Sequence, residues 1–447
     1  MQPEMRAVDH SDTSVGDAAS APASPPWNAA TKIAFRFAFV YFSLYNLYIP
    51  LYLLAFPPFS QILALYNSAC ALSVRFVSAH VLHLSHDFAT DYLNTPARSK
   101  DTTFEYVEVL VFFAVALLAT VIWSLLDRRR LNYEWLHRWF LVYLRLCLAC
   151  AMIAYGAIKI SPHQFPPPTL SKLLGTYGDS SPTNLLWTFM GASRSYSVFG
   201  GVTELAAGML LVVPRLATVG ALMAAAVMTN VLMLNLGYDV PVKLASIHLI
   251  LIAIIIFLPD LLRLVDFFVL NRTARLAPAK PLVRRVWLNR AFVALQIAFG
   301  VVLLTHDLYH GNRLTTQKQA EKNTPLYGIW SVDDFNLDAQ PRPPLLNDSL
   351  RWQRLIVESQ EDAVIQGMTG SLQYLHVHSN SPRNGFSLTR VDDPGWIAEF
   401  SYDNSPPGSL FLTGKVQRQP VTIKLHREDE SKLPLNSQGF HWVQDAQ

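Results

Sequence analysis

The sequence predicts a membrane-embedded bundle of about seven transmembrane α-helices followed by an all-β, antiparallel barrel or sandwich domain. Three observations lead there. Of 447 residues, 51% are hydrophobic and only 15% charged, where a soluble domain carries about 25% charged residues. Seven stretches are apolar over the ~20 residues a helix needs to cross about 30 Å of hydrocarbon. Near Thr324 the apolar residues change to a period of two, the period of a strand with one buried face.

Residues 1–28 are rich in Ala, Ser, Asp and Pro and lack an apolar run, so they read as a disordered tail. The first apolar segment follows without a small-residue cleavage site, which predicts an uncleaved anchor. The bundle is expected over 29–310, with spans near Phe35–Phe56, Tyr106–Leu126, Trp139–Ile158, Tyr196–Val213, Leu216–Leu236, Val242–Leu258 and Val286–Thr305. Two connections are long. Residues 57–100 hold an amphipathic helix candidate around Gln61 to His83, and residues 160–195 hold the rigid run Phe165-Pro166-Pro167-Pro168. Both could fold over the bundle as a lid.

Residues 311–323 read as a linker and 324–447 as the β-rich domain. There Trp396, Ala398, Phe400 and Tyr402 alternate with polar residues, as do Val421, Ile423 and Leu425. Turn formers separate the runs at Asn384-Gly385, Asp393-Pro394-Gly395 and Pro406-Pro407-Gly408. A meander of short strands follows, closed or nearly closed. Gly328-Ile329-Trp330 resembles the opening strand of lipocalins, which makes the expected domain lipocalin-like.

Short cytoplasmic loops carry the excess of Lys and Arg. With the N-terminus inside, the inner loops hold twelve such residues, among them Arg128, Arg129, Arg130, Arg263 and Arg285, against six in the longer outer connections. This bias places the N-terminus in the cytoplasm and the β domain outside, in the periplasm of a bacterium whose inner membrane holds the chain. Formal net charge is +3 with no massed basic tract, which excludes a nucleic-acid partner. Cys70, Cys147 and Cys150 are too few for a disulfide framework.

Gly200-Gly201-Val202-Thr203-Glu204-Leu205-Ala206-Ala207-Gly208 and Asn235-Leu236-Gly237-Tyr238-Asp239-Val240-Pro241-Val242-Lys243 resemble the DoxX family of bacterial membrane proteins. Tyr177-Gly178-Asp179-Ser180-Ser181-Pro182 and Trp187-Thr188-Phe189-Met190-Gly191 add to the likeness, which covers roughly 100–270. It implies a four-helix core and, from some relatives, an association with quinone-linked respiratory or sulfur redox chemistry. The first span and the β domain lie outside the short family form.

Glu204 stands out because a carboxylate at mid-membrane costs several kcal/mol unless paired, protonated or facing a wet cavity. Counting helix depth at about 1.5 Å per residue puts Arg145 near the level of Glu204, with Asn230 and His248 nearer the outer face. The functional reading is a polar pocket for a lipophilic head group, with Glu204 or His248 exchanging protons; the structural reading is a register-fixing Glu204–Arg145 ion pair. Asp239 and Lys243 could gate that pocket or form an i,i+4 pair at a helix start. Tyr155 and Lys159 end the third span as interfacial anchors.

Cys147 and Cys150 have redox spacing but lie inside a continuous helix, which favours packing. His80, His83 and Asp87, with His86 nearby, fall at zinc-ligand spacing on the outer helix, or simply line its polar face. His376 and His378 share one face of a strand. The functional expectation is a DoxX-like protein that holds a quinone or lipid in its bundle and carries an outer binding or docking domain. Two alternatives stand beside it: an enzyme laid out like the vitamin K-dependent carboxylases, and a non-catalytic assembly partner of a respiratory or redox membrane complex.

Overall fold

The computed structural model describes residues 26–53, 56–85, 88, 101–273, 285–380, 385–439 and 441–443. The bundle comprises α1 (Ala29–Asn46), α2 (Tyr48–Leu53), α3 (Phe59–His80), α4 (Thr103–Leu126), α5 (Glu134–Ile160), the short α6 (Leu170–Leu174), α7 (Pro182–Ala192), α8 (Arg194–Val212), α9 (Ala217–Gly237), α10 (Lys243–Phe257), α11 (Leu261–Phe268) and α12 (Val286–Glu321). Among the described residues, seven helical stretches are long and apolar enough to cross a membrane: α3, α4, α5, α8, α9 from Pro214, α10 continued through α11, and α12.

The number matches the sequence reading but one member differs. The first expected span breaks at Leu47 into α1 and α2, and α1, which carries Lys32 and Arg36, falls outside the apolar set. The expected amphipathic helix, α3, falls within it. Its packing is nevertheless confined to one end of the bundle. Tyr66 donates to the Leu44 carbonyl at 2.9 Å, and Ala71 and Val74 pack on Phe104 and Val107 at the start of α4. Meanwhile α1 lies antiparallel along the whole of α4: Arg36 donates to Ser124 Oγ at 2.8 Å, while Tyr45 shares a hollow with Glu105 and Glu108.

The helices alternate in direction. Arg194 at the start of α8 donates to the Lys159 and Ile160 carbonyls at the end of α5. Thr218 at the start of α9 reaches Asp260 beyond α10 at 2.6 Å. α12 runs parallel to α5, from Phe292 beside Trp139 to Gly311 against Ser161. The N-terminus of α1 and the exit of α12 are therefore at opposite ends. The tightest pair is α5 with α8, where a Cβ on Gly156 would sit 2.7 Å from the Gly201 carbonyl oxygen and one on Gly208 2.8 Å from Ile153. Small residues let helix backbones approach this closely where lipid supplies no hydrophobic drive.

The segment read as a linker is helical to Glu321, because Arg, Gln, Lys, Ala and Glu are good helix formers. α12 thus carries the β domain on a rod about 15 Å past Gly311. That domain is a closed eight-stranded antiparallel barrel, one of the two forms that the strand pattern allows. It is built from β1 (Gly328–Leu337), β3 (Trp352–Val357), β4 (Asp362–Gly367), β5 (Leu372–Asn380), β6 (Gly385–Arg390), β7 (Ile397–Asp403), β8 (Ser409–Val416) and β9 (Gln419–Glu428), with the two-residue β2 (Gln340–Pro341) on β1. β1 pairs with both β3 and β9, closing the ring, and a register shift between Val332 and Asp334 bends it for that double duty.

Trp396, Ala398, Phe400, Val421, Ile423 and Leu425 all face the interior, as their alternation predicts. Outside, Ile329, Ile356 and Val364 form an apolar stripe that α6 covers with Leu170, Leu173 and Leu174. Glu358 accepts the Ser171 backbone N–H at 2.8 Å beside it. The long connection after α5 thus docks on the barrel wall. Residues 1–25, Asp87 and Asn384 lie outside the described residues.

Gly156→Leu should drive a side chain into backbone that cannot yield, costing about 1–3 kcal/mol or more. A fall of several degrees in the melting temperature of the detergent-solubilised protein is expected, whereas Gly178→Ala, with open space around it, should leave it unchanged. At the barrel seam, burial raises the Glu428 carboxyl, but the Ser331 hydroxyl and Arg354 guanidinium override it and hold the pKa below the ordinary value. A depressed folded pKa means this contribution is present above about pH 4.5 and lost as pH falls through the folded value. Barrel unfolding followed by tryptophan fluorescence should show Glu428→Gln less stable at pH 7 and the difference vanishing towards pH 3.

Candidate functional site

The close approach of α5 and α8 decides the surroundings of Glu204. Its side chain is 2% exposed, and one carboxylate oxygen accepts from the ammonium of Lys159, a residue that is itself 9% exposed. The other oxygen is buried without a hydrogen-bond partner. Arg145, the expected partner, lies fourteen residues before Lys159 on α5, about 21 Å along the helix. It donates instead to Gln296 on α12 and forms no ion pair among the described residues. The misjudged level has a simple cause. α5 has 27 residues and α8 has 19, so centring both on one plane misaligns them; the glycine contacts set the register.

His248 is also elsewhere. Its Nδ1 donates to the Leu244 carbonyl at 2.8 Å, which leaves Nε2 to accept from the Tyr41 hydroxyl at 2.7 Å. The Tyr45 ring stacks on it at 3.9 Å. Asn230 is exposed on α9. Glu204, Arg145, Asn230 and His248 therefore do not line one pocket.

A hollow of about 80 Å³ opens between the end of α1, α2, and the starts of α4 and α10, with α5 behind. Asn46, Asp101, Glu105 and Glu108 face it among apolar side chains, as do Tyr45 and Tyr155. Glu108 is 5% exposed. The hollow joins the two sequence-predicted neighbourhoods: Tyr45 touches His248, and Tyr155 stands one turn before Lys159 within electrostatic reach of Glu204. Its polar wall is positioned by helix starts. Thr102 and Glu105 form a capping box on α4, and Asp101 accepts the Lys243 and Leu244 N–H groups at 2.8 and 2.9 Å, capping α10.

Asp239 and Lys243 form the expected i,i+4 pair at 2.8 Å, with Asp101 adding a second carboxylate at 3.7 Å. Asp101, Glu105 and Glu108 were missed in the sequence. The Thr102-x-x-Glu105 pattern marks Glu105, and an acid in an otherwise apolar run marks Glu108 by the logic that marks Glu204.

The zinc-ligand geometry fails for a local reason. α3 ends at His80, and His83 adopts a left-handed conformation with φ 54°, so the two do not share a helix face. Asp87 and His86 lie outside the described residues, among which no three His, Cys, Asp or Glu side chains cluster closely enough for a metal. Cys147 and Cys150 are buried, free thiols within α5. His376 and His378 face outward from β5, beside Asp362 at 3.7 Å and Thr389 at 3.3 Å.

Lys159→Met should strand the Glu204 carboxylate and cost about 3–5 kcal/mol, while the double change with Glu204→Met should recover most of that loss. Thermal denaturation of the two single variants and the double variant, closed as a cycle, measures it; a loss in the double variant equal to the sum of the two single losses would mean that the pair is not coupled.

No family model matches the chain, and no solved structure matches it. Over 133 residues the chain is 27% identical to "Uncharacterized protein YwoB" of Bacillus subtilis (strain 168), a stretch that covers 28% of this chain and 79% of that protein.

Proposed function

We propose that the chain is a DoxX-like multi-pass protein of a bacterial inner membrane whose bundle holds the head group of a lipid-soluble molecule, a quinone or a lipid. The excess of Lys and Arg at the end where α1 begins supports a cytoplasmic N-terminus and a periplasmic barrel. The observation that carries the ligand reading is the hollow bounded by Tyr45, Tyr155 and Glu108. Phenol hydroxyls, the Asn46 amide and the carboxyl groups of Asp101, Glu105 and Glu108, set among apolar side chains, suit the oxygens of a small head group, and polar groups converging in a partly apolar cavity are the usual make-up of a ligand site. At about 80 Å³ it suits the head alone, the tail staying among the acyl chains. The Lys159–Glu204 pair is then the scaffold behind the site rather than its floor.

The test is extraction of the protein from native membranes into polymer-bounded discs, followed by mass spectrometry of the bound small molecules. A quinone or single lipid species in near-stoichiometric amount is expected, reduced about tenfold by Glu108→Gln or Tyr155→Phe at unchanged folded yield. Glu204→Gln should lower folded yield more than occupancy. A bundle that emerges empty, or occupancy that ignores both hollow-lining variants, overturns the reading.

A further inference from the structure

We propose that the outer barrel binds one uncharged, apolar lipid chain in a blind well that opens towards the bundle, so that the domain takes a lipid tail from the membrane face below it. The inference deepens the functional reading and rests on it in one respect, that the bundle spans the membrane. The well has a volume of about 280 Å³ and sits at the end of the barrel where the chain arrives from α12. Its wall is Leu355, Val357, Val377, Phe386 and Leu388, and no side chain lining it carries a formal charge.

The hollow is a direct consequence of side-chain size. The near half of the barrel is built with Ala363, Ser379 and Gly385 among its inward or rim residues. The far half is filled by Phe335, Trp352 and Trp396, with the Phe335 and Trp352 rings 5.9 Å apart and the Arg390 guanidinium 4.8 Å over Trp396. Small barrels fill their interior with side chains, and where these are small at one end a ligand cavity remains. The deep wall of Leu355, Val357, Ala363, Val377, Phe386 and Leu388 offers ordered water, which needs two to four polar partners, little to bond to and suits an apolar guest. A charge carried into the well would find no counter-charge among its lining side chains, and burying a lone charge is prohibitive.

The position of the mouth selects a membrane-derived guest. Asn323, Thr324 and Leu326 lie across it, and the Gln360 N–H at its rim bonds to the Glu321 carbonyl at the tip of α12. Ten residues of α12 separate that tip from Gly311 at the roof of the bundle, about 15 Å. That distance matches the ~15 Å thickness of one hydrocarbon leaflet, half of about 30 Å, and so the reach of a single tail. Ser359, Gln360, Ser379 and Tyr402 at the rim offer neutral hydrogen-bonding groups for an uncharged head.

The experiment uses full-length protein in phosphatidylcholine nanodiscs, irradiated with hexadecanol carrying a terminal diazirine, with the cross-linked peptides located by mass spectrometry. Adducts are expected on β3, β5 and β6, abolished by excess unlabelled hexadecanol. They should fall at least tenfold in Ala363→Trp, and in Val377→Phe should the larger change fail to fold. Hexadecanoic acid with the same tag should label the barrel several-fold less than the alcohol. Glu108→Gln, which tests the bundle hollow, should leave the barrel adducts intact, so the two readings fail separately. Adducts confined to the bundle, barrel adducts that unlabelled hexadecanol does not displace or that persist when the well is filled, or stronger labelling by the acid would each overturn the proposal.

Discussion

Glu204 and Lys159 can share the apolar interior of the bundle because α5 and α8 touch at glycines. A carboxylate in hydrocarbon must find its counter-charge within the protein, and the contacts of Gly156 with Gly201 and of Gly208 with Ile153 bring the helices near enough for a lysine to serve. The same contacts fix the depth of Tyr155, and with it the back wall of the hollow. The remaining helices assemble around this pair: α9 against Leu210 and Leu211 through Gly220, and α12 against Val212 through Gly300.

The opposite end of the bundle is held by a different device. Arg36 on α1 is buried among Tyr133, Ser124 and the Asp127 carbonyl, and the Tyr133 hydroxyl in turn donates to the Asp127 carboxylate at 2.8 Å. Each group in this cluster has a partner on another helix, as a region poor in water requires. Rigid anchoring at that end leaves the other end, with the hollow and the long connections, as the part that faces the barrel. The β domain is tied there by two routes, the continuous α12 and the leucines of α6.

Much of the architecture was legible because lipid and sheet each impose one period. Long apolar runs gave the helices, and alternation at Trp396 to Tyr402 and Val421 to Leu425 gave strands whose inward faces are those residues. α1 falls outside the long, apolar set and α3 within it because composition and length alone cannot tell a helix packed along the bundle from one packed across its end. Residues 311–323 read as a linker from their polarity, yet the helix continues through them to Glu321 because Arg, Gln, Lys, Ala and Glu are good helix formers.

The candidate site was only partly legible, and the division is physical. By itself, the sequence determined that Glu204 must be paired or enclosed, that Asp239 and Lys243 can pair at i,i+4 spacing, and that the C-terminal residues form a meander of antiparallel strands, since these follow from local spacing and the cost of burying charge. Only the tertiary structure decided that Lys159 rather than Arg145 answers Glu204, that Asp101 caps α10, and that Tyr45, Glu108 and Tyr155 meet around a hollow. Those pairings depend on the relative sliding of helices far apart in sequence, and that sliding is set by where backbones can touch, which no local pattern records.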